Sequence, residues 1–457
     1  MQETGRQLAR EARRAMREGP AAIARRQRAH LVEMVAYARA NSPYYRELYR
    51  DLPEQVDDPT LLPVTNKKLL MGRFDDWVTD REVTLERVQE FVSNPALVGE
   101  RFCGKYLVAT TTGTSGVRGI FLIDQRSMAV ETSLGSRASA GVGVGDVIRT
   151  LARAGRSAIM SAPGGHFLSA AGTARFQRDS PLLGRAMRTF SIHQPMPELT
   201  AELDRYNPAI LVGFLSMLTL LAGEQEAGRL SIHPVLIIVG GETATAADLE
   251  RLATAFGAKV RVAYAATECG FLSVGCRYGW YHVNSDWAVL EPVDADHHPV
   301  APGELSHTVL LSNLVNRVQP ILRYDLGDSV LLRPDPCPCG SPLPAIQVRG
   351  RAADMLTFPT GRGENISISP MAFGTLLDRA PGIEQFQIVQ TGPTTLRVRL
   401  RPEDGADAER VWQAVRGEIT HLLTEHKVGD VTLERAEEPP QQAPGGKYRR
   451  IIPLAKP

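Results

Sequence analysis

The sequence has few aromatic residues and almost no net charge, and it lacks the two best-known phosphate-binding patterns. Aromatic residues make up 6% of the 457 residues, and the formal net charge is +1. A nearly neutral chain has no general attraction to nucleic acid or to membranes. The patterns GxxxxGK[ST] and GxGxxG do not occur, which excludes the ordinary P-loop and the Rossmann dinucleotide site.

Cysteine and long apolar runs are also scarce. Five cysteines in a chain of this length do not make a disulfide framework. No apolar run reaches about 18 residues, so no transmembrane helix is expected. The start of the chain has no apolar signal core, and the basic stretch 11–28 has the apolar spacing of a surface helix. We therefore expect a cytoplasmic protein.

The order of apolar segments predicts an α/β fold with a second, smaller domain. Residues 1–50 have helical patterns. From about 100 to 330, helical segments alternate with predicted strands, namely DVIRTLARA, PAILVGFLS, PVLIIVGGE and AKVRVAYAA. Such alternation predicts parallel sheets covered by helices. After 351, the strands FQIVQ and LRVRLRP and the amphipathic helix AERVWQAVRGEITHLLTEH predict a small α+β domain. The predicted domains are 1–351 and 352–457.

Three clusters of Gly, Thr and Glu follow predicted strands. TTTGTSGVRG at 110–119 lies between two short apolar strands, and VGGETA and YAATECG follow the last two strands of the parallel sheet. Glycine lets the backbone approach a ligand closely, and backbone N–H groups with hydroxyls can face anionic oxygens. Ligands of such folds bind at the carboxyl ends of strands. The clusters therefore predict a phosphate-binding site there, and a flexible polar loop is the alternative for residues 110–119.

Six short motifs, in this order, resemble those of the adenylate-forming superfamily, and most closely its phenylacetate–CoA ligase branch. They are TTGTSG at 111–116, GGE at 240–242, YAATE at 264–268, LRYDLGD at 322–328, VRGRAADML at 348–356 and PGGKYRR at 444–450. The resemblance covers nearly the whole chain. It implies a large ATP- and acid-binding domain and a small mobile C-terminal domain that carries a catalytic lysine.

The resemblance implies a reaction in which a carboxylic acid and ATP form an acyl-adenylate and pyrophosphate. The implied catalytic residues are Thr267, Glu268 and Lys447, with Glu268 as a ligand of Mg²⁺, a cation that prefers oxygen ligands. Lysine suits its role as a mobile point charge. The implied phosphate cradle is Thr111, Thr112, Thr114, Ser115 and Gly116. The other implied nucleotide contacts are Gly241, Glu242, Tyr264, Ala265, Thr267, Asp328 and Arg351.

Some positions depart from the family pattern. Val117 stands where a lysine often follows the phosphate loop, and Arg118 comes next. Ala265 replaces the glycine of the Tyr-Gly-x-Thr-Glu motif, and Ala353 replaces the first Asp of the hinge. A hinge residue need not be special in order to rotate. These departures leave open whether the transfer of the acyl group from the adenylate to its acceptor follows the family default.

Cysteine placement suggests a structural metal. Cys337 and Cys339 form Cys-x-Cys, and Cys276 precedes His282 by six residues. Three cysteines and one histidine are a closed ligand set that suits Zn²⁺, and they resemble those of a zinc-bearing subset of the branch. Cys269 is an alternative to Cys276, although it directly follows Glu268. Four unrelated side chains are the other alternative.

The resemblance also implies an acid pocket and an acyl acceptor. The implied pocket residues are Phe214, Gly240, Ala263, Cys269, Gly270 and Phe271, with His166 as a gate or a loop residue. The two phenylalanines favour an aromatic or cyclic acid. The family default acceptor is the CoA thiol. One alternative is an amide synthetase or another condensing ligase that passes the acyl group to an amine or a different small nucleophile. A second alternative is a catalytically idle module that binds a nucleotide or an acyl group. A homodimer stays open as the assembly. Nucleic-acid adenylating ligases are disfavoured because their Lys-x-Asp-Gly motif is absent.

Overall fold

The chain forms two compact units. The computed structural model describes residues 5–111, 119–138, 143–161, 165–192, 194–242, 244–351, 356–359, 365–368, 373, 376–377, 380–426, 428–442 and 448–454. The larger unit reaches Leu326 and includes Leu331–Gln347, and the smaller unit contains Gly327–Val330 and Val348–Ala443. None of the helices in these described ranges is both long and apolar enough to cross a membrane.

The chain begins with helices, as predicted for residues 1–50. The helices of this region are α1 (Gly5–Glu18), α2 (Pro20–Asn41), α3 (Pro43–Leu48), α4 (Lys67–Gly72), α5 (Phe74–Trp77) and α6 (Leu85–Ser93), with single 3₁₀ turns at Pro59–Leu61 and Pro95–Leu97. Side-chain oxygens of Ser42, Asn66 and Thr84 accept backbone N–H bonds at three helix starts. Such caps satisfy donors that the helix itself leaves unpaired, and they fix where each helix begins.

A small antiparallel sheet precedes the main sheet. Its strands are β1 (Arg101–Phe102), β2 (Tyr106–Thr110) and β3 (Ile120–Ile123), in the order β1-β2-β3. All four residues of β3 are buried. The helices α7 (Gln125–Ala138) and α8 (Val144–Ala152) follow. The hairpin β2–β3 therefore places the TTTGTSGVRG segment between two strands anchored in the core.

A parallel sheet forms the centre of the larger unit and confirms the predicted α/β class. Its strands are β4 (Ser157–Ser161), β5 (Met187–Ser191), β6 (Ile210–Gly213), β7 (Leu236–Gly240) and β8 (Lys259–Ala263), ordered β5-β4-β6-β7-β8. The helices that connect them are α9 (Leu168–Asp179), α10 (Pro181–Gly184), α11 (Met196–Tyr206), α12 (Leu215–Glu226) and α13 (Ala246–Phe256). Since the strands are parallel, their carboxyl ends lie along one edge.

One predicted strand is wrong. DVIRTLARA lies mostly in the helix α8, and the first strand of the parallel sheet comes later, at Ser157–Ser161. The carboxylate of Asp146 accepts a hydrogen bond from the backbone N–H of Gly143 at 2.9 Å, which caps the helix. The large apolar residues of α8 recur at helical spacing, and all of them are exposed: Val144, Val147, Ile148 and Leu151. In the sequence, a short segment with several apolar residues has the same pattern as a buried strand, which explains the wrong prediction.

Antiparallel strands complete the larger unit and lead into the smaller one. They are β9 (Ser273–Gly275), β10 (Tyr281–Val283), β11 (Ala288–Val293), β12 (Thr308–Asn313), β13 (Ile321–Asp325), β14 (Asp328–Leu332) and β15 (Ala345–Arg351). One sheet has the order β11-β12-β13 and another β14-β15-β10-β9. Every residue of β12 is buried, so this strand lies in the core of the larger unit.

The smaller unit has an α+β architecture. Its strands and helix are β16 (Leu356–Pro359), β17 (Asn365–Ile368), β18 (Ile383–Gly392), β19 (Thr395–Pro402), α14 (Ala408–Glu425), β20 (Thr432–Arg435) and β21 (Ile451–Ile452). Four strands form a sheet in the order β20-β19-β18-β21. Asp407 caps α14 by accepting the N–H groups of Glu409 and Arg410. The buried face of α14, which includes Trp412, joins the core of this unit.

Candidate active site

The predicted phosphate loop is closed at its base by hydrogen bonds. Thr110 pairs with Ile120 across the hairpin β2–β3. Beyond that pair, the N–H of Thr111 donates to the carbonyl of Gly119 at 3.0 Å, and the N–H of Gly119 donates to Oγ1 of Thr111 at 2.9 Å. A Cβ on Gly119 would lie 2.6 Å from the ring of Phe121, so only glycine fits there. Thr112, Thr114, Ser115, Gly116, Val117 and Arg118 lie outside the described residues.

Three adjacent strands bring the predicted acid-pocket residues to one edge of the parallel sheet. Gly213 pairs with Val239, and Gly240 pairs with Ala263. The strands β6, β7 and β8 therefore end side by side. Phe214 follows the first of them as the N-cap of α12, and Tyr264 follows the last; both are half-buried. This is the edge at which α/β sheets bind their ligands.

Glu242 has a structural partner that the sequence did not reveal. Its Oε2 accepts the backbone N–H of Ser216 at 2.7 Å, and its Oε1 accepts the hydroxyl of Ser216 at 3.0 Å. Ser216 lies in the first turn of α12, where a carboxylate is stabilised by the helix dipole. Gly241, with φ of 76°, supplies the turn that lets the chain reach this position. The GGE loop is thus fixed to the start of the preceding helix.

The YAATE motif forms a tight turn that buries its glutamate. The backbone groups of Ala266 and Cys269 exchange two hydrogen bonds, at 3.2 and 2.9 Å. Glu268, with 8% of its surface exposed, accepts the hydroxyl of Tyr324 on Oε1 at 2.9 Å. No other described residue donates to this carboxylate, so Oε2 is left for a ligand. The donor set fits a hard cation, which prefers carboxylate oxygen.

A run of buried amides links Glu268 to the strand behind the phosphate loop. Nδ2 of Asn313 donates to the carbonyl of Glu268 at 2.9 Å. Further along the same segment, Nδ2 of Asn316 donates to the carbonyl of Leu122 at 2.7 Å, and Oε1 of Gln319 accepts the N–H of Leu122 at 2.6 Å. These amides are almost fully buried. Tyr324 stood inside the quoted motif LRYDLGD, whereas isolated amides give no sequence signal.

The segment behind Phe271 rests on a buried ion pair. The guanidinium of Arg137 donates to both oxygens of Asp286, at 2.8 and 2.7 Å, and to Oδ1 of Asn284 at 2.8 Å. Nδ2 of Asn284 in turn donates to the carbonyl of Phe271 at 2.6 Å. The side chains of Arg137 and Asp286 are 4% and 0% exposed. No motif of the sequence indicates this network.

The four predicted zinc ligands come together. The ligand atoms of Cys276, His282, Cys337 and Cys339 all lie within 4.8 Å of one another. With Zn–S bonds of about 2.3 Å, a tetrahedral ion holds two sulfurs about 3.8 Å apart. The Sγ atoms of Cys276 and Cys337 are 3.8 Å apart, and Sγ of Cys339 lies 3.1 Å from Nε2 of His282. Cys269 is not part of this group.

Backbone turns and one carbonyl orient these ligands. The N–H of Gly279 donates to the carbonyl of Cys276 at 3.1 Å, and the N–H of Gly340 to that of Cys337 at 3.0 Å. Nδ1 of His282 lies 3.1 Å from the carbonyl of Leu343. A hydrogen bond on one ring nitrogen directs the other nitrogen toward a metal. The arrangement therefore fits a structural tetrahedral ion.

The remaining predicted residues have different surroundings. His166 is fully buried, and its Nε2 lies 3.2 Å from the carbonyl of Asn94, a position that favours packing over gating. Ala265 is exposed and Thr267 half-buried in the YAATE turn, and Asp328 is the half-buried first residue of β14. Arg351 ends β15, but its side chain is not described. Lys447 and Ala353 lie outside the described residues. Their predicted roles stay predictions.

Comparison with solved structures shows the fold. No family model matches the chain, and no curated protein matches it. It is similar to a 2-hydroxyisobutyryl-CoA ligase in the postadenylation state, with 20% identity over 95% of this chain and 89% of that one, at a TM-score of 0.68. Fatty acyl-adenylate ligases from E. coli and L. pneumophila match with 13% identity over 75% of this chain and 67% of theirs, at 0.52. A benzoate CoA ligase from Burkholderia xenovorans LB400 matches with 14% identity over 77% and 69%, at 0.50. The predicted adenylate-forming fold is confirmed.

Proposed function

We propose that this chain, which has the fold of the adenylate-forming ligases, is an ATP-dependent acid–CoA ligase. It activates a carboxylic acid as an acyl-adenylate and then transfers the acyl group to the thiol of CoA. The 2-hydroxyisobutyryl-CoA ligase that it resembles has been crystallised with 2-HIB-AMP and with CoA. The six motifs occur in the family's order along nearly the whole chain, which supports the same chemistry here.

One observation carries the proposal. Glu268 is a buried carboxylate at the carboxyl edge of the parallel sheet, with Oε1 held by Tyr324 and its backbone held by Asn313. The same segment that holds it also holds β3, next to the phosphate loop, through Asn316 and Gln319. The open Oε2 and the rigid support are properties of a ligand-binding carboxylate.

In the first step, an oxygen of the substrate carboxylate attacks the α-phosphorus of ATP. The new P–O bond forms as the bond to the bridging oxygen breaks, and pyrophosphate leaves with the electron pair. Catalysis then depends on positioning and on neutralising charge. Glu268 would hold Mg²⁺, which when bound screens the phosphate charges. Thr111 lies at the base of the phosphate loop, and Thr267 and Lys447 are assigned to the α-phosphate by resemblance.

In the second step, the sulfur of CoA attacks the acyl carbon, the thiol loses its proton, and AMP leaves. An amine acceptor would follow the same course and yield an amide. Two of the fold neighbours are named CoA ligases, which supports CoA as the acceptor here. Phe214 and Phe271 support an aromatic or cyclic acid.

We further propose that Cys276, His282, Cys337 and Cys339 bind a structural Zn²⁺. Four protein ligands leave no position for a substrate, so the ion has no direct part in the reaction. Cys276 closes the β9–β10 hairpin, and β9 begins two residues after Phe271. The ion would thus stabilise the chain that leaves the YAATE turn.

The test is pyrophosphate release from ATP and Mg²⁺ with a panel of carboxylic acids, before and after CoA is added. We expect release with one class of acid, and a thioester product once CoA is present. Tyr324→Phe should lower the rate about tenfold, because the variant loses one buried hydrogen bond to a charged group. Tyr278→Phe, which removes an exposed hydroxyl, is the matched control.

Two results would contradict the proposal. Release of pyrophosphate that never yields a thioester, but yields an amide when amines are added, would assign the alternative acceptor. No release with any acid, together with ATP binding that Lys447→Ala leaves unchanged, would favour an idle binding module.

A further inference from the structure

Helix α8 presents a stripe of large apolar side chains to solvent. Four of its nine residues follow the spacing i, i+3, i+4 and i+7, which places them along one face of the helix. They are 79%, 47%, 61% and 69% exposed, in the order Val144, Val147, Ile148 and Leu151. A surface helix normally turns such a stripe toward the core. The orientation of α8 is therefore the reverse of that of an ordinary surface helix.

The polar face of α8 attaches the helix to the larger unit. Asp146 follows Val144 by two residues, so it lies on the opposite face, and only 4% of its surface is exposed. Its carboxylate accepts hydrogen bonds from Nζ of Lys259 at 2.5 Å, from the guanidinium of Arg149 and from the N–H of Gly143. The apolar stripe cannot turn inward unless these bonds break, so they fix the face that α8 shows to solvent.

The stripe differs from the other exposed apolar residues in the part of the chain that the structure describes. Those others are single residues on separate segments, namely Leu61, Leu69, Tyr278, Leu305 and Leu454. Single exposed apolar residues are common on protein surfaces, whereas a contiguous patch of a few hundred Å² marks an interaction surface. The four side chains of α8 expose roughly 400 Å². The stripe is therefore large enough to be an interface.

A second copy of the same stripe is the partner that fits it. None of the four side chains is charged, and the guanidinium of Arg149 is bound to Asp146 away from the stripe. Two copies related by a two-fold axis can therefore meet there without bringing like charges together, as a self-complementary interface requires. Two stripes would bury roughly 800 Å² of mostly apolar surface, against about 1,200–2,000 Å² for a standard interface with its polar rim. The stripe thus supplies the apolar centre of a small interface, and the association is weak.

We propose that α8 is the surface through which two copies of this chain form a dimer. The two-fold axis passes through the middle of the stripe, so Ile148 lies next to its own counterpart. Lys259, which holds α8, is the first residue of β8, whereas Gly240 and Ala263 mark the opposite, carboxyl edge of the parallel sheet. The contact is therefore anchored away from the predicted acid pocket, and the inference does not depend on the proposed function.

The experiment is sedimentation velocity of the full-length chain between about 1 and 100 µM, a range suited to a weak dimer. We expect wild type to change from monomer to dimer over this range. Ile148→Glu should weaken association by about tenfold or more, because two like charges then meet at the axis. Ile148→Lys should do the same alone, whereas an equimolar mixture of the two variants should form the dimer again. Leu69→Glu, at an exposed apolar position of α4, is the matched control.

Several results would overturn the inference. They are a wild type that stays monomeric at about 100 µM, a dimer that Ile148→Glu leaves intact, and a dimer that Leu69→Glu weakens equally. A mixture of folded Ile148→Glu and Ile148→Lys that stays monomeric would also contradict the axis through the stripe. Melting temperatures establish that the variants are folded. Leu151→Lys, at a position that is 69% exposed, repeats the test at a second position, and there too an unchanged dimer counts against the stripe.

Discussion

Breaking the buried pair of Arg137 and Asp286 should cost more stability than any exposed ion pair of the chain. In Arg137→Met the side chain keeps its length but loses its charge. Asp286, which is 0% exposed, then stays buried without a cation. The variant also removes the donor to Asn284, itself 1% exposed. Removal of one partner of a buried pair costs about 3–5 kcal/mol, because the other charge cannot regain its hydration.

The chain contains its own reporter for this experiment. Trp287 is fully buried next to Asp286, and its ring stacks on His30 with centroids 4.2 Å apart. Urea unfolding is followed by tryptophan fluorescence in a Trp412→Phe background. This substitution removes the fluorescence of the smaller unit, so the signal reports on the larger unit alone. Arg229→Met is the control, since it breaks an ion pair whose arginine is 54% exposed. The free energy of unfolding of that control should fall by about 0–1 kcal/mol.

A second variant tests the physical reason. In Arg137→Met with Asp286→Leu, no charge remains buried, and the double variant should be more stable than Arg137→Met alone. The reasoning is refuted if Arg137→Met lowers the free energy of unfolding by less than about 1 kcal/mol, or if the double variant is no more stable than the single one. In either case the unpaired charge is not the cause of the destabilisation. Because Asn284 also holds the carbonyl of Phe271 at 2.6 Å, the KM for the acid should rise in Arg137→Met while the KM for ATP changes less.

Three further predictions follow from the site. Purified protein should contain about one zinc per chain, and Cys276→Ser should lose it and lower the melting temperature of the larger unit by about 5 °C or more, measured by metal analysis and calorimetry. Glu242→Ala should cost about 1 kcal/mol in urea unfolding, through the lost cap on Ser216, and raise the KM for ATP. Burial raises the pKa of the Cys269 thiol, so it stays protonated at alkaline pH. Mass spectrometry should find it unalkylated by iodoacetamide at pH values at which unfolded protein reacts fully.

The sequence predicted the parallel sheet and the residues at its edge because both depend on local signals. Strand periodicity located PVLIIVGGE and AKVRVAYAA, and glycine-rich turns marked where those strands end. The prediction of a strand at DVIRTLARA was wrong for the same reason, because a nine-residue segment with apolar residues can fit the period of a strand or that of a helix. The hydrogen bond from the N–H of Gly143 to Asp146 stabilises the helix. Local patterns identify an element only where the competing element is excluded by length or by caps.

The supports of the site were not predictable, because their partners are far apart in sequence. Arg137 and Asp286 are separated by 149 residues, and Glu268 and Tyr324 by 56. Asn313, Asn316 and Gln319 have the composition of an ordinary polar segment. Only the fold shows that they are buried and that each amide bonds to a backbone group of the core. A pairing of this kind has no period and no spacing, so a single sequence carries no trace of it.

The difference between the motif residues and the residues that support them also bears on the identity of the substrate acid. The motif residues are proposed to bind ATP, and ATP is the same molecule for every enzyme of such a fold, so these residues can resemble the family at about one-fifth identity. The acid differs from one enzyme to the next, and the two phenylalanines proposed to select it, Phe214 and Phe271, lie outside the six motifs. The identity of the acid is therefore best sought with a panel of substrates that differ in one substituent at a time.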